Sequence, residues 1–162
     1  MTVSVDKEEL AMFRDSVIKV LEKEVTPHYE AWEKSGLVPR ELWNTLGNAG
    51  MLCVDVPEEW GGAGMDPLSY AIAMEEVSRA CASTGVVMSV NNSLVCDPLM
   101  KWGTDAQKEQ WLRPLATGDK LGCFALSEPG TGSDAAAQTC MAVPDGDEGV
   151  IDVAVDSVEE TA

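Results

Sequence analysis

The sequence predicts a mainly α fold: an all-helical N-terminal domain followed by the first strand or strands of an incomplete β-domain. Three observations predict it. Apolar residues recur at steps of three and four through the first 120 positions. Residue types that start and stop helices stand between these runs. The first confident apolar run of strand length comes only at 121–126. Helices followed by a strand divide the chain into a helical domain (1–119), the start of a β-domain (120–140) and a divergent acidic tail (141–162) that is expected to be poorly ordered.

Taken in order, Leu10, Phe13, Val17, Val20, Leu21 and Val25 give a first amphipathic helix over 6–25. Asp6 with Glu9 is its expected cap, and Pro27 ends it. A polar connection leads to Ser35-Gly36 as a turn. Pro39 then opens a second helix, with Leu42, Trp43, Leu46 and Ala49 on its apolar face and Gly50 as its stop. The stretch 51–66 starts extended and becomes a loop around Trp60, Gly61, Gly62 and Gly64. There Trp60 is either a plug over the core, the favoured reading, or a wall against a ligand or another domain. Asp66-Pro67 caps a helix reaching about Ala82, and Ser83-Thr84 breaks it. An apolar helix over 86–100 follows. Its polar cluster, Ser89, Asn91, Asn92 and Ser93, is expected to face a partner or a wet cleft, and Pro98 to bend or end it. Thr104 and Gln107 have capping-box spacing before a last helix carrying Trp111, Leu112 and Leu115.

Composition excludes several functions. A chain of 162 residues, 45% hydrophobic, can bury a core, and its net charge of −17 disfavours nucleic acid and anionic membrane surfaces as partners. Seven of the acids lie in 141–162, which has no Lys or Arg. No run is long and apolar enough to cross a bilayer, and the acidic N-terminus lacks signal or transit features, so a cytoplasmic location is expected. Five scattered cysteines, with no CxxC, fit neither a disulfide framework nor a zinc site; most are expected to be buried. The only histidine, His28, reads as a surface or linker residue.

The stretch 121–134, LGCFALSEPGTGSD, carries the chemistry. A strand ending in Gly130 and Gly132, with hydroxyls at Ser127, Thr131 and Ser133, can cradle a phosphate or a cofactor ring through backbone N–H groups. The same residues also suit an ordinary strand-to-turn connection, and spacing alone leaves both open.

GCFALSEPGTGSD resembles the aliphatic-[ST]-E-P-x-x-G-S-D signature that opens the middle domain of acyl-CoA dehydrogenases. Upstream, DVPEEWGGAG and YAIAMEEVSRACASTGVVMSVNNSL resemble further segments of that family, in the right order, so that the likeness covers roughly 6–139. The resemblance implies an acyl-CoA dehydrogenase-type helical domain, FAD as cofactor, an acyl-CoA substrate, an electron-transferring flavoprotein as redox partner and, in the full-length family, a homo-oligomer. In such enzymes a glutamate takes the α-proton while hydride passes from the β-carbon to the flavin. It implies that Phe124, Ala125, Leu126, Ser127, Glu128, Pro129, Gly130, Thr131, Gly132 and Ser133 contact the flavin. Leu126 and Ser127 would meet the pyrimidine edge, Gly132 and Ser133 the pyrophosphate, and Ser133 also the bound acyl-CoA. The 89–94 cluster would line the acyl cavity.

After about Thr139 the likeness stops. The family's W-x-[ST]-N motif is missing, and 141–162 reads as a solvated tail or a makeshift strand over 150–155. The change of character is expected of a truncated, frame-shifted or alternatively ended reading frame. Without a C-terminal helical bundle no catalytic base is expected. Glu75, Glu76 and Glu128 read as capping, solvated or turn residues, and the chain alone is expected to show no dehydrogenase turnover. The alternatives of another class are a non-catalytic helical partner-binding module and a weak flavin or CoA binder.

Overall fold

Helix α1 (Lys7–Glu24) presents Val17 and Leu21 to the interior, with Phe13 and Val20 packed beside them, as the spacing predicts. In a computed structural model, residues 7–145 and 148–152 are described; the expected Asp6 cap lies outside them. The N–H groups of Val25 and Thr26 both donate to the Leu21 carbonyl at 2.9 Å, closing the helix before Pro27. A short helix α2 (Tyr29–Ser35) follows where the sequence reads as a polar connection. It buries none of its residues, so no apolar stripe announces it; His28 stacks on Trp32 with ring centroids 5.8 Å apart. Helix α3 (Glu41–Asn48) buries Leu42, Trp43 and Leu46.

The stretch 51–66 is not extended at its start. Met51, Leu52, Cys53, Val54 and Val56 turn inward and are buried, because two apolar clusters meet there. One cluster joins α1, α3 and the next long helix, α4 (Pro67–Ala80); the other joins Cys53, Val56 and Cys96 to Leu112, Leu115 and Ala116. Trp60 ends a 3-10 turn (Glu58–Trp60) and packs on the second cluster, with Lys108 Nζ 5.6 Å from its ring centre, so its own chain uses it as a plug. Gly62 is required here: a Cβ would lie 2.0 Å from the Val56 carbonyl oxygen.

Asp66 caps α4 as expected, its Oδ1 accepting from the N–H groups of Leu68 at 2.7 Å and Ser69 at 3.0 Å. The break falls at Cys81, which is extended, rather than at Ser83-Thr84. Helix α5 (Ala82–Ser89), a π-helical stretch (Val90–Cys96) and α6 (Asp97–Trp102) then run on from one another. Pro98 does not end the run; it sits in the first turn of α6. A proline there clashes with a carbonyl four residues back, and the wider π turn relieves that clash. Helix α7 (Asp105–Ala116) starts with the expected capping box, in which the Thr104 N–H donates to Gln107 Oε1 at 2.9 Å and the Gln107 N–H to Thr104 Oγ1 at 3.3 Å.

Glu76 corrects the sequence reading. It is 3% exposed, not solvated, and accepts from Arg14 on α1 at 2.5 Å and from Arg79 at 3.2 Å. The buried face of α4 is Ser69, Ile72, Ala73, Glu76 and Val77, a stripe of helical spacing, so Glu76 enters the core with its cations.

The strand expected over 121–126 is absent. Among the described residues no strand runs beside it, and the Gly122 N–H donates at 2.9 Å to the Asn91 side chain instead of to a neighbouring strand. The chain forms two compact units, Met1–Phe124 and Ala125–Ala162. The second contains an antiparallel hairpin, β1 (Met141–Asp145) with β2 (Glu148–Asp152), in which Val143 pairs with Val150. About half of the tail is therefore a hairpin. The expected strand over 150–155 is met only as far as Asp152; residues 153–162 lie outside the described residues. No described helix is long and apolar enough to cross a membrane.

Candidate cofactor-binding loop

The loop closes on itself at Glu128 and Thr131. The Glu128 N–H donates to the Thr131 carbonyl at 2.9 Å and the Thr131 N–H returns to the Glu128 carbonyl at 3.1 Å, with Pro129 and Gly130 as the turn between them. Thr131 is buried, and its hydroxyl donates to the Asp134 carbonyl at 3.2 Å.

From behind, the Glu128 carboxylate holds the return chain. It accepts from the Thr139 N–H at 2.7 Å, the Thr139 hydroxyl at 3.1 Å and the Cys140 N–H at 2.9 Å. These donors, the two backbone N–H groups first, hold the carboxyl below its ordinary range. Gln138 Nε2 donates to the Leu126 carbonyl at 2.6 Å, a second tie across the same loop. Glu128, which the family pattern offers as a flavin contact, is thus the brace of the loop.

The front of the loop is open. Ser127, Pro129, Gly130, Gly132 and Ser133 are exposed, and among the described residues the Ser127 and Ser133 hydroxyls have no hydrogen-bond partner. A Cβ added at Gly130 or Gly132 would meet nothing within 4 Å, and neither glycine has the left-handed backbone that forbids a side chain. The chain's own packing therefore gives no reason for glycine at either position. Ala125 and Leu126 precede the turn, exposed, and Phe124 ends the first unit with its ring half exposed. Thr131 turns inward, and its side chain serves the turn rather than the open face.

The polar cluster at 89–94 divides. Asn91 and Asn92 are buried, against the expectation that they face a cleft or partner; Ser93 and Leu94 are exposed. Asn92 Oδ1 accepts from the Cys53 N–H at 3.1 Å and from Asn91 Nδ2 at 3.2 Å, while Asn91 Oδ1 takes the Gly122 N–H. The two amides satisfy backbone groups of irregular chain that no helix or sheet could. Ser93 Oγ lies 3.0 Å from the Tyr70 hydroxyl at a 230 Å³ polar hollow shared with Asp55 and Asp97. Just upstream of the loop, Val95, Leu99, Trp111, Leu115, Leu121 and Gly122 line an apolar hollow of 350 Å³. Neither the Glu128 brace nor the Asn91 anchor is visible in the sequence. Each links positions 11 to 31 residues apart with no periodic pattern between them.

A helical unit is followed in the chain by a braced turn with exposed glycines and, among the described residues, unpartnered hydroxyls. The chain belongs to the acyl-CoA dehydrogenase family: residues 7–119 match the model of the acyl-CoA dehydrogenase N-terminal domain. It is 55% identical over 130 residues to the human mitochondrial short-chain specific acyl-CoA dehydrogenase, a match covering 80% of this chain and 32% of that one. The fold is shared with the crystal structure of an acyl-CoA dehydrogenase from Geobacillus kaustophilus, with TM-score 0.83 and 38% identity over 93% of this chain and 39% of that one. A glutaryl-CoA dehydrogenase from Mycobacterium smegmatis in complex with FADH2 is similar at TM-score 0.82 and 31% identity, over 91% of this chain and 38% of that one. The chain spans about a third of the length of the curated relatives it matches.

Proposed function

We propose that this chain supplies the helical domain and the first flavin-contacting loop of an FAD-dependent acyl-CoA dehydrogenase acting on short-chain acyl-CoA. The observation that carries the reading is the pair Gly130 and Gly132, open to solvent on a loop that Glu128 braces from behind. Glycine with no internal reason to be glycine suits close approach of a ligand to backbone N–H groups. The residues present fit the cofactor. Backbone groups at Leu126 and Ser127 would hold the polar edge of the ring system. The N–H groups around Gly132, with the Ser133 hydroxyl, would hold the pyrophosphate, and Ser133 would also meet the acyl-CoA. FAD, when bound, supplies the hydride acceptor for α,β-dehydrogenation.

What the chain's own residues do is bind and orient. Glu76 is committed to two arginines and Glu128 to three donors, so neither is free to take a substrate proton. Turnover is therefore not expected from these residues alone, and an electron-transferring flavoprotein is the proposed acceptor for the whole enzyme. Gel filtration of the chain after incubation with FAD tests the reading. Co-elution of flavin absorbance with the protein is expected, without bleaching by butyryl-CoA. A colourless protein peak, or flavin bleached by butyryl-CoA, contradicts it.

A further inference from the structure

Where the buried 51–56 turn meets the π-helical stretch, two thiols lie against each other in the interior. The Cys53 thiol donates to Cys96 Sγ at 3.2 Å across 43 positions of sequence, and neither side chain is exposed. The backbone holds the first thiol in place. Cys53 adopts φ +54, a conformation residues other than glycine rarely take. Three hydrogen bonds fix it there: its N–H donates to Asn92 Oδ1 at 3.1 Å, and its carbonyl accepts from Val56 at 3.1 Å and Ala63 at 3.2 Å. On the other side, Asn91 Nδ2 lies 3.9 Å from Cys96 Sγ. A disulfide bond of about 2.05 Å needs the two sulfurs to close by roughly another 1 Å.

We infer that Cys53 and Cys96 form an oxidisable dithiol, which a small peroxide converts to an intramolecular disulfide that clamps the 51–64 loop to the π-helical stretch. One thiol loses its proton and its sulfur attacks a peroxide oxygen. The O–O bond breaks, the released hydroxide takes up that proton as water, and a sulfenic acid forms. The second sulfur, deprotonated in turn, attacks the first. The S–S bond forms, the S–O bond breaks, and hydroxide leaves as the second water. Two thiols and one hydrogen peroxide thus give one disulfide and two waters, the sulfurs losing the two electrons that the peroxide gains. The neighbouring Cys53 and burial hold the Cys96 thiol well above its ordinary value. The reaction therefore runs through locally opened chain and trails the oxidation of the exposed Cys123 and Cys140.

Peptide mapping of the unsubstituted 162-residue chain tests this directly. The folded protein is treated with hydrogen peroxide, remaining thiols are alkylated in denaturant, and the digest is read by mass spectrometry before and after dithiothreitol. A peptide pair joined through Cys53 and Cys96, released by the reductant, is expected. In a Cys123→Ser/Cys140→Ser variant the oxidised protein should melt at a higher temperature than the reduced one. Recovery of Cys53 and Cys96 as alkylated thiols or sulfinic acids after Cys123 and Cys140 are consumed overturns the inference. So does a disulfide from either of them to another cysteine. A correct cross-link that leaves the melting temperature unchanged overturns the clamp.

Discussion

Two glycine-rich loops in this chain look alike in sequence and differ in what fills the space beside them. In WGGAG the chain itself accounts for the glycines: Gly62 has no room beside the Val56 carbonyl, and Gly61 holds a left-handed φ of +90°. In EPGTGSD, Gly130 and Gly132 face nothing within 4 Å. The first loop is a packing device, and Trp60 completes it. The second is held by Glu128 and Gln138 and is exposed at Gly130 and Gly132. Glycine content alone therefore does not tell a packed loop from an open one; the neighbour of the missing Cβ does.

The largest effect should come from the filled loop. Gly62→Ala should destabilise the helical unit by about 3 kcal/mol or more, because rigid backbone stands where the methyl must go. Urea denaturation followed by circular dichroism measures it, and a loss near zero would erase the contrast. Next in size are the buried polar groups that support the same unit. Glu76→Ala should remove about 2 kcal/mol by the same measurement, less than a fully buried pair because Arg14 and Arg79 reach water. Asn91→Ala should cost about 1 kcal/mol by leaving the half-buried Gly122 N–H without its acceptor.

The brace of the open loop should show in its titration. A carboxyl held below its ordinary value contributes stability that is fully present above the unfolded-state value. That contribution is lost as pH falls through the lower folded value. The amide resonances of Thr139 and Cys140 should therefore shift together with a midpoint below the usual glutamate range, and Glu128→Gln should abolish the step. A midpoint at or above that range contradicts the brace.

Much of the helical unit was legible. Steps of three and four give α1, α3, α4 and α7, and Asp66 and Thr104 cap their helices as their spacing predicts. Even Glu76 was legible in principle, since it stands on the Ser69–Ile72–Ala73–Val77 stripe; a charged residue there reads as solvated only if Arg14, 62 positions away, is overlooked. Helix α2 has no buried face to announce it. The apolar run 121–126 has strand composition without a strand beside it, and pairing is not a local property. In the candidate site, glycine and hydroxyl spacing singled out Ser127, Gly130, Gly132 and Ser133, which are exposed, and also Thr131, which is buried. What holds the loop depends on Thr139 and Cys140, whose bonds to Glu128 leave no trace in composition or period.

The smallest expected effect on stability carries the central claim. Gly132→Val should change unfolding free energy by no more than about 0.5 kcal/mol, since the side chain enters open space. Calorimetric titration with FAD of this variant beside the unsubstituted chain is the direct test. FAD should bind the unsubstituted chain and bind the equally stable variant at least tenfold more weakly. Equal affinity in the two, or no binding by either, would contradict it.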